Sequence, residues 1–450
     1  MHRRHALAAS LAALLAVPNV SHAQEAPDGL AGLLLRFFSP TNPVVLRAAP
    51  DPFSHAAHFV SQPNAQETLR QLNRGIASQL STFPLGSSSA GFTYTFDPEL
   101  GVFNRSTETF GPVFSERPLT AGKGKFSFGV TQLHATYDRF EGQDLRAGDI
   151  KLYLEHQDVN QDGSHLQTAL WFEGDIIEAA LSIDLKNDTT VLYANYGVSD
   201  RFDIGVAVPY QRLDLAARID ARIERLATGA DPFIIHVFPG GDDQKLTESF
   251  LETGSAEGIG DVVLRGKYNF FRGTSTNVAA ALDLRLPTGD SDDLLGSGAT
   301  QAKLYAIAAR VASKRFSPRI AAGYTYSSGG ADFVGDLPDE INYSAGFDAA
   351  LHSRATFTAD FLGRTLLDAD RLVLRERVFD NVLRTDPTVR RTTRISPETT
   401  TGNLNVLLGS AGVKVNPVSR LLLMVNLLFA IGDSGLQDKV TPVFGIDYSF

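Results

Sequence analysis

Cysteine is missing from all 450 residues, which excludes disulfide scaffolds, thiolate metal sites and thiol nucleophiles together. A basic surplus is missing too. Lys and Arg number 41 against 51 Asp and Glu, a formal net charge of −10 that disfavours binding to phosphate backbones, so no nucleic-acid partner is expected. Charged residues make up only 20% and hydrophobic ones 43%, too apolar a balance for disorder. Beyond the N-terminus no run approaches the ~20 apolar residues that a membrane helix needs. The longest, Leu421 to Ile431 (LLLMVNLLFAI), is interrupted by Asn426. At ~3.3 Å per residue such a segment crosses a hydrocarbon core only as a tilted strand. What is abundant is glycine (39), Phe (29) and Tyr (12), residues of turns and strands.

The N-terminus reads as an address. Met1 to His5 is basic, Ala6 to Val17 is apolar, and Ser21-His22-Ala23 fits small-x-small cleavage before Gln24. Residues 1–23 are therefore taken as a signal peptide and the mature chain as exported.

Strict alternation then recurs along the chain. In RFDIGVAVPYQR, Phe202, Ile204, Val206, Val208 and Tyr210 share one face, and Asp203, Gly205 and Gln211 the other. NVAAALDLRLP sets Val278, Leu282 and Leu284 against Asp283 and Arg285, and EINYSAGFDAAL sets Ile341, Tyr343 and Phe347 against Asn342, Ser344 and Asp348. Period 2 in segment after segment is a β pattern. A soluble sandwich alternates as well. Here, however, the polar face is built from small residues with sparse charges of both signs, and tight connections alternate with long ones. Ser199-Asp200, 271–274, 314–318, 352–354 and 416–419 are short, whereas 214–257, 288–300, 328–340 and 368–402 read as long polar loops. That is the construction of an outer-membrane barrel, and open sheet edges cannot survive in lipid.

The chain ends on VFGIDYSF, with Phe444, Ile446, Tyr448 and Phe450 on one face. A terminal aromatic closing an alternating strand looks like the signal read by the barrel assembly machinery. The expected fold is thus an all-β antiparallel transmembrane β-barrel of about 14 strands (range 12 to 16) over 111–450. The pattern blurs over 139–187, and a hairpin at 92–107 would add two strands. Residues 24–110 form an N-terminal extension. Within it, 64–80 shows helical spacing, with Leu69, Leu72, Ile76 and Leu80 on one side. Such a helix plugs the lumen, lies on the periplasmic surface, or belongs to a flexible leader. Its apolar face favours the plug.

Candidate chemistry is thin. DVNQDG (Asp158, Asn160, Asp162, Gly163) opens like a calcium loop, but position 12 is Ala169 where a bidentate Glu belongs, so it reads as a solvated turn. His55 and His58 lie three apart beside Pro52, a weak metal pair. His134 sits inside a strand with Thr131 and Thr136 as its nearest hydroxyls, and no nucleophile with an orienting partner stands out. No metal, cofactor or catalytic residue is expected. The inward parity instead selects Asp203, Arg265, Lys267, Asp283, Arg285, Asp348, Asp360 and Arg364, together with Asp447. A basic residue facing lipid at mid-membrane would cost about 2–4 kcal/mol. These charges either cross-link wall and plug or line a constriction that sets selectivity.

At FGPVFSERPLTAGKGKFSFG (110–129), YGVSDRFDIGVAVPY (196–210), GIGDVVLRGKYNF (258–270) and LDLRLPTGD (282–290), the sequence resembles the outer-membrane barrels described as "putative MetA-pathway of phenol degradation" transporters. The TPVFGIDYSF ending is similar to that family's last strand. The resemblance implies passage of small aromatic or hydrophobic compounds across the bacterial outer membrane, and it carries no functional residue over one by one. The expected function is a channel or facilitator for small uncharged solutes, since mixed lumen charges hold a polar wall without a strong net field. The alternatives are a non-conducting barrel that binds through its surface or is structural and, third, a membrane-embedded lipid hydrolase. The expected partners are outer-membrane lipid, the assembly machinery and the solute. Oligomeric state is not read from the sequence.

Overall fold

The computed structural model describes residues 29–38, 44, 59, 63–81, 86–87, 91, 94–97, 102–105 and 107–450, apart from 232–233, 240–244, 314 and 332–334. The leader and the His55/His58 pair lie outside the described residues.

The alternating segments become a closed wall of twelve strands. They are β1 (Phe126–Tyr137), β2 (Ile176–Gly197), β3 (Phe202–Glu224), β4 (Val263–Arg272), β5 (Thr276–Arg285) and β6 (Thr300–Arg310), followed by β7 (Phe316–Ser328), β8 (Glu340–His352), β9 (Ala355–Leu383), β10 (Asp386–Val415), β11 (Leu421–Ile431) and β12 (Thr441–Ser449). Each pairs antiparallel with its sequence neighbour. The last returns to the first, with Val443 opposite Leu133 and Asp447 opposite Gly129, and no edge is left open in the ring. Beyond β12, the Phe450 N–H donates to the Phe126 carbonyl at 2.7 Å.

The wall therefore has twelve strands rather than about fourteen, and both surplus strands fall in the blurred region. Ile150–Glu155 pairs only with the outer part of β2 and stays outside the ring. The expected strands 165–185 and 188–198 are one strand, because Lys186-Asn187-Asp188 sits in mid-ladder opposite Asp214, Leu213 and Arg212 instead of turning. Tyr94–Asp97 and Val102–Arg105 do form a hairpin, but as a separate two-stranded sheet.

Side-chain parity fixes inside and outside. Leu304 and Ile320 are 62% and 63% exposed, and Leu264, Leu282, Val425, Phe444 and Ile446 join them in an outward apolar belt. Lys267, Asn269, Asp348, Thr358 and Lys414, on the alternate positions, are buried. An apolar exterior around a polar interior inverts the soluble pattern and matches lipid outside. Aromatics mark both rims: Phe126, Phe128, Tyr196, Phe270, Phe316, Tyr448 and Phe450 at the short-turn end, and Tyr210, Tyr324 and Tyr326 towards the other. The protein is a transmembrane barrel of the bacterial outer membrane, with the short turns periplasmic and the long connections extracellular.

Two of the expected long loops are sheet. The segment 214–257 continues β3 and returns as Thr247–Ile259, paired with it from Tyr210 to Arg222. The segment 368–402 is a hairpin in which β9 and β10 stay paired out to Leu383 and Asp386. In 368–402 the polar, Thr- and Arg-rich sequence looks like loop because both faces are largely hydrated beyond the membrane, whereas 213–223 keeps the alternation with its apolar face, Leu213, Leu215, Ile219 and Ile223, buried inward. The hairpin reaches across to the β2–β3 tip. Arg394 pairs with Glu224 at 2.5 Å, Arg377 with Glu155 at 2.5 Å and Arg384 with Asp231 at 3.2 Å, while the Asn381 amide donates to the Leu226 carbonyl at 2.9 Å.

Candidate functional site

The lumen holds three layers, all contributed in part by the chain that precedes β1. The upper layer is helix α1 (Pro63–Ser81) with the helical turns at Leu30–Arg36. The face predicted from spacing, Leu69, Leu72, Ile76 and Leu80, is buried against Leu30, Leu33, Leu34 and Phe37 and against Leu152, Ile177, Leu181, Leu213 and Ile219 of the outer wall. The Asn73 amide donates to the Ala31 carbonyl at 2.8 Å, and Gln79 accepts the Leu436 N–H at 2.6 Å. An apolar helical face needs an apolar partner, and the upward extensions of β2 and β3 supply it.

The lower layer is the segment 107–121, a strap through the lumen that has almost no exposed surface. It enters β1 through a turn in which Gly122 (φ 96°) and Gly124 (φ 73°) take left-handed conformations open to glycine. The strap meets the candidate charges. Glu116 pairs with Arg265 and, at 3.4 Å, with Lys267. Arg265 also holds Asp283 through two 2.7 Å hydrogen bonds, and the Tyr305 hydroxyl donates to the same carboxylate at 3.3 Å. Lys267 donates to the Arg117 carbonyl at 3.3 Å and lies 3.9 Å from Asp203, which accepts the Ala121 N–H at 2.9 Å. Ser115 donates to Asp360 at 2.6 Å, and Arg319 binds Ser115, Asp360 and, at 2.8 Å, Asp348. Further along, Lys414 donates to the Pro112 carbonyl at 2.5 Å and the Asn269 amide to the Pro118 carbonyl at 2.8 Å.

Between helix and strap lies a cavity of about 230 Å³. One side carries Arg265, Asp283, Arg285, Lys303, Glu340 and Arg364; the other is apolar, with Phe114, Leu362, Leu408 and Leu428. Arg364 pairs with Glu340 at 3.5 Å, and Lys303 lies 5.0 Å from the Tyr305 ring centre. The eight candidate charges are thus divided. Asp203, Arg265, Lys267, Asp283, Asp348 and Asp360 belong to the strap network, while Arg285 and Arg364 face the cavity, which Arg265 and Asp283 also border.

Several participants escape sequence reading. Glu116, Ser115 and Arg117 sit in an aperiodic segment, where no spacing points to a wall. Arg319 was legible in principle, since it shares parity with Ala321 and Gly323 in β7. Lys414 was hidden by the apolar residues around it.

Other candidates lie elsewhere. His134 is on the outer face, its Nδ1 2.7 Å from Asp188, with both side chains about half exposed (48% and 52%). The DVNQDG loop is extracellular. Gly163 N–H donates to Asp158 at 2.6 Å, and Glu173, not residue 169, reaches it by accepting the Val159 N–H at 2.8 Å. Burial pushes the Glu173 carboxyl above the ordinary range. Among the described residues no group of three or more His, Asp or Glu is placed to hold a metal.

Residues 179–374 match the family described as "Putative MetA-pathway of phenol degradation". Three of the sequence stretches that carried the resemblance (196–210, 258–270 and 282–290) fall inside that span, and the resemblance is borne out there. No curated protein matches the sequence. Among solved structures, an outer membrane channel from Pseudomonas putida F1 aligns with a TM-score of 0.43 at 11% identity, over 74% of this chain and 98% of that one. The CymD monoaromatic hydrocarbon channel aligns at 0.32 and 11%, over 73% and 89%. A FadL homologue from Pseudomonas aeruginosa aligns at 0.31 and 10%, over 73% and 90%.

Proposed function

We propose that this protein is an outer-membrane channel or facilitator for small, uncharged aromatic or hydrophobic solutes. The observation that carries the reading is the cavity inside the wall, about 230 Å³, with one apolar side and a charged lining in which Arg265, Arg285, Lys303 and Arg364 are balanced by Glu116, Asp283, Glu340 and Asp438. An apolar cavity of ~150 Å³ already accommodates benzene, so a single substituted ring fits with room for its polar group. Paired Arg, Asp and Glu residues offer hydrogen bonds without a strong net field, which suits neutral solutes over ions. The family description, phenol degradation, points to the same solute class.

The filled lumen favours a second reading, a barrel that does not conduct and that presents the β2–β3 tip and the β9–β10 hairpin as a binding surface. Flux into liposomes separates the two. The channel reading expects passage of phenol and toluene with weak ion selectivity, and faster passage once residues 24–110 are removed. If neither aromatics nor ions pass even after that removal, the surface-binding reading replaces it.

A further inference from the structure

The two halves of the lower lumen wall treat the strap differently. On β3 to β8 and the adjoining face of β9 the strap is held by buried ion pairs and hydrogen bonds through Glu116, Ser115 and the carbonyls of Arg117 and Pro118. On the arc β9–β12–β1–β2 its contacts are mainly apolar. Val113 and Phe114 pack on Leu133, Val191, Met424, Leu428 and Val443, and Phe110 packs on Leu422. Beside them Lys414 donates to the Pro112 carbonyl and the Phe110 N–H donates to Thr356.

Yet polar residues alternate with these apolar ones on the arc. Thr131, Tyr193, Thr358, Ser410, Asn426 and Asp447 point inward, all at most 8% exposed. Among the described residues, the Thr131, Tyr193, Thr358 and Ser410 hydroxyls, both amide atoms of Asn426 and both carboxylate oxygens of Asp447 have no hydrogen-bond partner. The nearest ion-pairing atom to Asp447 is the Lys414 Nζ at 3.9 Å. Gly129, Gly412 and Gly445 make room for these side chains, since Tyr193 and Asp447 lie over Gly129, Asn426 over Gly412 and Met424 over Gly445. Buried polar groups are costly when unpaired, and a wall that only ever met Val113 and Phe114 would be apolar.

We infer that the solute path below the cavity runs along this arc, between strap and wall, with Asp447 as the charge that determines specificity. The inference rests on the channel reading. Opening on this side breaks mainly apolar contacts, whereas opening on the other breaks the Glu116 and Ser115 networks. In the open path Asp447 and Asn426 accept hydrogen bonds from a solute hydroxyl or from water, and Asp447 disfavours anions.

The absence of cysteine makes the test direct. Thr131→Cys and Ser410→Cys place thiols on the arc, and Ala279→Cys places one at a buried inward position on β5, across the lumen. Each full-length variant is extracted in detergent, checked for the folded gel mobility, and treated with a small cationic methanethiosulfonate reagent. The two arc thiols should react at least tenfold faster than the thiol at 279. Adding Asp447→Asn to Ser410→Cys should slow the cationic reagent several-fold relative to an uncharged analogue. An equal or faster reaction at 279 overturns the path. So do unreactive arc thiols in protein that still passes phenol into liposomes. Unreactive thiols with no flux at all would overturn the channel reading along with it.

Discussion

Replacing Glu116 by Gln should loosen the strap without disturbing the wall. Glu116 is the strap carboxylate buried in the lower lumen, its side chain only 4% exposed, and it neutralises Arg265 and Lys267 together. After the change Arg265 keeps its two hydrogen bonds to Asp283, and Lys267 keeps Asp203 at 3.9 Å. Removing one partner from a buried pair typically costs about 3–5 kcal/mol. Because neither cation is left alone and Gln keeps the shape, the lower end applies, about 3 kcal/mol. At 1.36 kcal/mol per tenfold, that is roughly a hundredfold shift towards the released strap. Asp283 and the wall strands are untouched, so folded gel mobility should stay normal. Single-channel recording in planar bilayers should then show a wider opening, distinct from the arc path, populated about two orders of magnitude more than in the parent, and a protease should cut within 107–121 where it spares the parent. An unchanged population of that opening together with a protected strap would refute the reasoning, since the ion pairs would then contribute nothing to holding it.

Three further expectations follow the same physics. Replacing Phe450 and Tyr448 by Ser should block assembly, because these residues form an exposed aromatic pair 4.8 Å apart beside Phe126 at the strand that closes the ring; normal surface levels of the variant would contradict this. Arg394→Ala with Arg377→Ala should free the extracellular hairpin by about 1–2 kcal/mol, the sum of two partly exposed pairs of which Glu224 is the more buried, seen as faster tryptic cleavage at Arg390 and Arg391 with the barrel intact. Burial raises the Glu173 carboxyl, so its contribution to the 156–175 segment is present when it is protonated and is lost as pH climbs from the ordinary Glu range through the raised value. Glu173→Gln should therefore flatten the pH dependence of the protection factor of the Val159 amide, and a slope equal to the parent's would sink the idea.

The wall was legible in the sequence wherever one face met lipid. Phe202 to Tyr210 or Val278 to Leu284 must alternate, because a strand in a bilayer wall has one apolar and one aqueous side, and the inward parity of Arg265 or Asp348 followed from the same rule. The closing strand was equally plain in Phe444, Ile446, Tyr448 and Phe450. Beyond the lipid the signal persisted only where the inner face meets the helix, as from Leu213 to Ile223. The mid-strand Lys186-Asn187-Asp188 looked like a turn, and the 368–402 hairpin looked like a loop, because hydrated faces tolerate any polar residue. Tertiary structure alone decided what fills the barrel. The helix face of Leu69, Leu72, Ile76 and Leu80 demanded an apolar partner, but nothing local says that the tips of β2 and β3 supply it. Glu116 carries no periodicity, and its partners lie about 150 residues away on β4, so only closure of the ring could bring strap and wall charges together. A strand's environment is written into every second residue, whereas a contact across a lumen is set by the whole circumference.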